Sequence, residues 1–183
     1  MKKFKETQVT LKNQKTVTLR HVPAEDVEKL FKAITTYIPQ SDYIPKFPNE
    51  IQQNVKQQQA WVTSFLEHDN ALLIVAEYND QIIGNIDITG HRREAMQHTA
   101  VIGMGMTIDW RNVGLGKALL TAAVAWAKEN PTLELLWLEV YTANIPAITL
   151  YKKMGFVENG VVKGFFKHNK TYFDRLTMSL LVT

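Results

Sequence analysis

The chain has 183 residues, 45% of them hydrophobic and 21% charged, with a formal net charge of +3 and no cysteine. That length suits one domain spanning 1–183, since single cores close at roughly 100 to 200 residues, and the composition excludes a disordered chain. Scattered basic residues argue against a nucleic-acid partner, while the lack of cysteine excludes disulfides, zinc–thiolate sites and a cysteine acyl-enzyme and fits a cytoplasmic compartment.

The start Met1-Lys2-Lys3-Phe4-Lys5 is basic, but Glu6 to Lys15 is polar where a signal peptide needs its apolar region. Thr16 to Arg20 alternates as a strand, and Pro23-Ala-Glu-Asp26 opens a helix expected to reach Tyr37. Prolines and two tyrosines then break regular structure over Ile38 to Asn49, ahead of a second helix over Glu50 to Glu67. Strands over Ala71 to Tyr78 and Ile82 to Thr89 flank Asn79-Asp80, a pair suited to a hairpin turn. The apolar run Ala71 to Ala76 is far shorter than the ~20 residues that cross a bilayer, so no membrane partner is expected.

Gly90 to His98 reads as an exposed, basic connector into an apolar strand over Ala100 to Ile108. From Leu115 to Trp126 apolar residues recur at helical spacing, and Asn130-Pro131 stops that helix. Leu135 to Thr142 is the next strand; Asn144 caps a helix that Gly155 ends. Closing strands over Val161 to Lys167 and Thr171 to Leu181 hinge at His168-Asn169-Lys170. This order predicts an α/β (α+β) fold, a mixed and mostly antiparallel sheet flanked by helices. The strand–helix–strand unit from Ala100 to Thr142 must cross over right-handed, making that one pair parallel.

Between the apolar strand and the third helix lies Asp109-Trp-Arg111-Asn112-Val113-Gly114-Leu115-Gly116-Lys117-Ala118. Two glycines there let the backbone turn tightly and gather N–H groups at a helix start, a cradle for phosphate. The spacing is neither a Walker loop nor a dinucleotide fingerprint, and a glycine turn that merely connects two elements is the plainer reading. The five histidines lack HxxxH or HExxH spacing, so no metal is expected.

Arg111-x-x-Gly114-x-Gly116 resembles the (Q/R)-x-x-G-x-(G/A) pyrophosphate loop of GNAT acetyltransferases. Asn144-Ile-Pro-Ala147-Ile-Thr-Leu150-Tyr151-Lys-Lys153-Met-Gly155-Phe156 resembles the same family's N-x-x-A-x-x-L-Y-x-K-x-G-F segment. The resemblance implies acetyl-CoA as co-substrate and a parallel strand pair splayed to receive it. Amides from Asn112 through Lys117, with Arg111 and Ala118, would hold the pyrophosphate. Met106, Thr107 and Ile108 would pair with the pantetheine arm like an added strand, with Gly103 and Gly105 easing the distortion. Asn144, Ala147 and Lys153 complete the cofactor set, and Tyr151 would stand near the sulfur as general acid. Tyr151 also shares a helix face with Ala147 and Met154, and Asn144 reads equally as a helix cap.

The general base stays open among Asp87, Glu139, His98 and a water chain. His91-Arg92-Arg93 through His98, and Gly164 to Asp174 with Asn169, Tyr172 and Asp174, resemble the branch containing amino-acid N-acetyltransferases and ribosomal-protein alanine acetyltransferases, and read equally as an exposed basic loop plus an ordinary hairpin. Arg92 and Arg93 would bind an acceptor carboxylate, and the loop from Tyr37 to Phe47, Tyr43 included, would form an apolar wall. The implied activity is transfer of acetyl to a primary amine of a small molecule by direct attack in a ternary complex. A protein N-terminus as acceptor and a non-catalytic acyl-CoA-binding module are the alternatives. The state of assembly is open, a homodimer included.

Overall fold

The computed structural model describes residues 4–51, 54–168 and 170–183. Eight strands form one sheet: β1 (Thr7–Thr10), β2 (Thr16–Arg20), β3 (Leu72–Tyr78), β4 (Gln81–Gly90), β5 (Thr99–Met106), β6 (Leu135–Tyr141), β7 (Val157–His168) and β8 (Thr171–Leu181). Their spatial order is β1-β2-β3-β4-β5-β6-β8-β7, with every neighbouring pair antiparallel except β5 and β6. The helices are α1 (Val27–Tyr37), α2 (Val55–Leu66), α3 (Leu115–Lys128) and α4 (Ile145–Lys153).

Alternation along the strands sends successive side chains to opposite faces, and both faces are covered. Leu72, Ile74, Ala76, Ile86 and Ile88 join Leu119, Leu120 and Ala123 of α3 and Tyr151 of α4 in one core. Leu73 and Val75 face the other way, against Leu30, Phe31 and Ile34 of α1 and Val62 and Phe65 of α2. The β3–β4 turn has φ of +48° at Asn79 and +60° at Asp80, the left-handed pair that a two-residue hairpin of matching twist requires. Gly155, at φ +92°, ends α4 in the same left-handed region.

Four boundaries depart from the sequence reading. Thr7 to Thr10 forms an edge strand paired to β2, unannounced because it is largely exposed and has no buried stripe. α2 begins at Val55 rather than Glu50, because Pro48–Glu50 makes its own 3₁₀ turn and Glu50 is turned back onto the Phe47 amide at 2.6 Å. β5 stops at Met106, as Ile108–Trp110 is a 3₁₀ turn. β7 starts at Val157, four residues early. Asn169 of the closing hinge lies outside the described residues.

β5 and β6 pair only through Thr99–Leu135, Ala100–Leu136 and Val101–Trp137. Beyond that point β5 stays paired to β4 as far as Met106, and β6 to β8 as far as Tyr141. The sheet is therefore continuous at one end and open between β5 and β6 at the other.

Candidate active site

The open gap has backbone on both edges. Thr107 N donates to Ile83 O and His91 N to Thr99 O, which fixes the odd-numbered residues of β5 as those bonded to β4; Met104 and Met106 therefore turn their amides and carbonyls into the gap. On the facing edge Thr142 N donates to Asp174 O and Val182 N to Glu134 O, so Glu139 and Tyr141 present theirs. Of the three residues expected to receive a pantetheine arm, Met106 keeps that orientation. Thr107 is bonded to β4, and the Ile108 amide is taken by Gln40 Oε1 at 3.1 Å.

Below the gap, the glycine loop carries Asn112 at φ +62° and Gly114 at φ +96°. Gly114 is the N-cap of α3 and supplies no side-chain cap, so the amides of Leu115, Gly116 and Lys117 begin the helix without side-chain acceptors. The loop is pinned from both sides: Lys12 N donates to Val113 O at 3.0 Å, and Arg111 Nη1 to Gln40 O at 3.0 Å. A Cβ on Gly116 would lie 3.2 Å from Met106 Cε and 3.3 Å from Leu150 Cδ2. The first turn of α3 thus sits close over the end of β5 and beside α4. These features fit the pyrophosphate and pantetheine of a coenzyme A thioester: an uncapped helix start with a cation beside it, and two free strand edges above.

Asn144 caps α4, its Oδ1 accepting from Ala147 N at 3.4 Å, and α4 carries Tyr151 into the α3-side core. Tyr151 packs on Phe156, ring centroids 5.8 Å apart, and its hydroxyl has no hydrogen-bond partner among the described residues. Burial pushes this phenol up to about 12. Lys153 is exposed on the outer side of α4.

The opposite face holds a second set of groups. Asp87 pairs with Gly103 across β4 and β5, and a Cβ on Gly103 would stand 2.8 Å from Asp87 Oδ1. A Cβ on Gly105 would collide with the Tyr37 ring, and Tyr37 donates its hydroxyl proton to Asn85 Oδ1 at 2.9 Å. These two glycines thus make room for a carboxylate and a phenol, a different service from the strand distortion expected of them. Burial pushes Asp87 up to about 7, against the pull of Thr89 and the charge of Lys46. Burial, then the Asp87 charge, raises Tyr37 above the ordinary phenol range.

Aromatic side chains wall this face at the open end. Tyr141 stacks on Phe166 at 3.9 Å and meets Tyr43 at 5.9 Å, and Phe47 lies 4.8 Å from His168. The loop after α1 thereby touches the β7–β8 hairpin. The other expected groups are placed differently. Glu139 is held by Arg175 Nη1 at 2.6 Å. His98 precedes the paired end of β5, where its carbonyl accepts from Glu134 and Leu135 amides; it borders a separate cleft with Glu94, Gln97 and Thr132, away from the gap. Arg92 and Arg93 are exposed beyond the end of β4, near the stack of His91 on Trp137. From Trp137 to Tyr141 is four strand residues, about 13 Å, so the structure does not bring these arginines to Tyr37 and Tyr43.

Gln40, Asn85, Lys46 and Arg175 were missed in the sequence. Asn85 had a readable signal, since Asn85 and Asp87 alternate with Ile86 and Ile88 and put two polar groups on one face of an apolar strand. Gln40 and Lys46 lie in an irregular loop with no pattern to mark them.

Comparison with known proteins agrees with this fold. The L-amino acid N-acetyltransferase AaaT of Escherichia coli is 24% identical over 163 residues, covering 89% of this chain and 96% of that protein. An acetyltransferase of the GNAT family from Streptococcus pneumoniae superposes with a TM-score of 0.84 at 24% identity, covering 91% of this chain and 99% of that one. The yncA protein of Salmonella typhimurium, solved with its cofactor acetyl-CoA, superposes with a TM-score of 0.81 at 15% identity, covering 91% and 94%. The model of the Acetyltransferase (GNAT) family matches residues 33–156, and the chain belongs to that family.

Proposed function

We propose that this enzyme transfers the acetyl group of acetyl-CoA to the primary amine of a small α-amino compound, with Asp87 as general base and Tyr151 as general acid. One observation supports the reading: Asp87 stands over Gly103 of β5 on the α1 face, while on the other face α4 carries Tyr151 in the core and its neighbour Leu150 beside the first turn of α3, which Met106 at the end of β5 also reaches. A thioester lying in the gap is then reached by a base on one side and an acid on the other. The acetyl-CoA held by yncA and the amino acid named for AaaT support the same choice.

Acetyl-CoA supplies an acetyl group activated as a thioester; the amine forms the new C–N bond as the C–S bond breaks. Met104 and Met106 orient the pantetheine arm by strand-like pairing, and the amides of Leu115 to Lys117, with Arg111, hold the pyrophosphate. Asp87, poised near neutrality, takes the proton leaving the amine nitrogen, and Tyr151 gives its proton to the departing sulfur. With no cysteine in the chain, a direct attack needs no covalent enzyme intermediate. A peptide-like α-amino group titrates near ~7.7 to 8.0, against ~10.4 for a lysine side chain; the amine of a free amino acid is more basic than a peptide terminus, so it relies more on Asp87 to take its proton.

Release of free thiol from acetyl-CoA, measured across α-amino acids, short peptides and polyamines, tests the proposal. Turnover with α-amino acids is expected. Turnover with polyamines alone would overturn the acceptor class, and none with any amine would overturn the reaction.

A further inference from the structure

Arg175 stands on β8 directly opposite Tyr141 of β6, on the face that carries Asp87. Its side chain crosses diagonally to β6, where Nη1 donates to Glu139 Oε1 at 2.6 Å. The Phe165 ring covers the guanidinium carbon at 3.8 Å, and the side chain is 21% exposed. Nε is buried without a hydrogen-bond partner, and Nη2 has none among the described residues. Arg20 makes the contrast: each of its three nitrogens is engaged, by Glu77, Asp26 or the His21 carbonyl. Nε and Nη2 form one edge of the planar guanidinium, a two-donor fork matched to both oxygens of a carboxylate. A buried N–H without an acceptor is unfavourable; Nε has almost no accessible surface, so an incoming carboxylate meets Nη2 first and satisfies Nε only as the side chains covering it, Phe165 among them, give way.

We infer that Arg175 is the anchor for a carboxylate on the acceptor, its Nε–Nη2 edge receiving the two oxygens while Glu139 holds the guanidinium in place. The inference rests on the acyl-transfer reading above and narrows its acceptor to amino acids with a free carboxyl group. Gly103 lets Asp87 reach out over β5, and Glu139 draws Arg175 out over β6. The base and the anchor therefore lie on one face of the sheet, on opposite sides of strands that have parted beyond the ~4.8 Å spacing of a paired sheet. The amine and carboxylate ends of one amino acid bridge such an interval, with its side chain against Tyr43, Tyr141 and Phe166. Glu139 becomes a positioning residue, which accounts for a carboxylate in the gap that is tied to an arginine.

The test compares L-amino acids with their primary amides, in which the carboxylate is replaced by a neutral group, for the wild type, Arg175→Lys and Glu139→Gln. Calorimetric binding of the N-acetyl products and of their amides runs alongside and needs no turnover. The wild type is expected to favour the acids about 10- to 100-fold, through KM. Arg175→Lys keeps the cation and the apolar stem but loses the fork; it should raise KM for the acids with kcat retained and remove the preference. Glu139→Gln removes the competing charge and should lower KM for the acids several-fold, a direction that neither general destabilisation nor loss of a base produces. Equal treatment of acids and amides by the wild type, a preference that survives Arg175→Lys, or a loss of kcat without a fall in KM in Glu139→Gln would each overturn the anchor. Product binding that depends on the carboxylate and on Arg175, in a protein that acetylates no amine, would uphold the anchor and sink the reaction instead.

Discussion

Asp87 and Tyr151 are both displaced upward by burial, and the consequences differ because one must lose a proton and the other must keep one. As the proposed base, Asp87 at about 7 would act as the carboxylate, so kcat/KM should fall as pH drops through about 7 and level off above it. Asp87→Asn should lower kcat/KM by about 10²- to 10⁴-fold and abolish that pH dependence while CoA affinity, read by calorimetry, is retained. Stability has the opposite sign. The folded protein holds the Asp87 proton more tightly than an unfolded chain, in which aspartate titrates near ~3.9. Between those two values stability therefore declines as pH rises. Thermal unfolding should show Asp87→Asn gaining on the wild type from pH 4 to pH 8; a constant difference would mean that this carboxylate is not buried as charge. Tyr151 at about 12 stays protonated throughout the working range. Tyr151→Phe should keep CoA binding and lower turnover by roughly ten- to a thousandfold, and unchanged turnover would return Tyr151 to packing alone.

At the scale of elements, the glycines separate into distinct physical roles that the sequence presents identically. Gly114 needs its residue type for backbone reasons, because φ of +96° strains any side-chain-bearing residue by about 1–3 kcal/mol. Gly114→Val should therefore distort the loop and weaken CoA binding. Gly116 is limited by neighbours, but those neighbours are the mobile ends of Met106 and Leu150, so Gly116→Ala is the milder change; calorimetry on both variants checks the ranking. Gly105→Ala would drive a methyl into Tyr37, cost about 1–3 kcal/mol by overpacking and loosen the Tyr37–Asn85 bond. Acceptor KM should rise more than CoA affinity falls. The glycine loop, the α4 segment and the single parallel pair were legible because each is written in contiguous residues. β1 was not, since an exposed edge strand leaves no period of two to read. Arg175 was not, since its meaning depends on Glu139 and Phe165, which only the strand order brings to it. His98 is close to β5 in sequence, but it lies at the end where β5 and β6 are still paired.

The whole molecule is one sheet whose two parts, β1 to β5 and β6 to β8, share a short parallel seam at Thr99–Leu135, Ala100–Leu136 and Val101–Trp137. A pantetheine arm between Met104–Met106 and Glu139–Tyr141 would add rungs that the chain itself lacks. CoA at about a hundred times its dissociation constant should stabilise the fold by ~2.7 kcal/mol, read as a rise in Tm. Amide exchange should slow first at Met106 and Glu139, and protection confined to the loop from Asn112 to Lys117 would count against a strand-like arm. Survival in a proteolytic environment follows from the same seam. With thioester scarce the parted edges would stay open and local unfolding would be easier; with CoA plentiful, acetylated or not, they would be bridged. The abundance of this enzyme should then track the total coenzyme A pool, because the molecule it consumes would also complete its sheet.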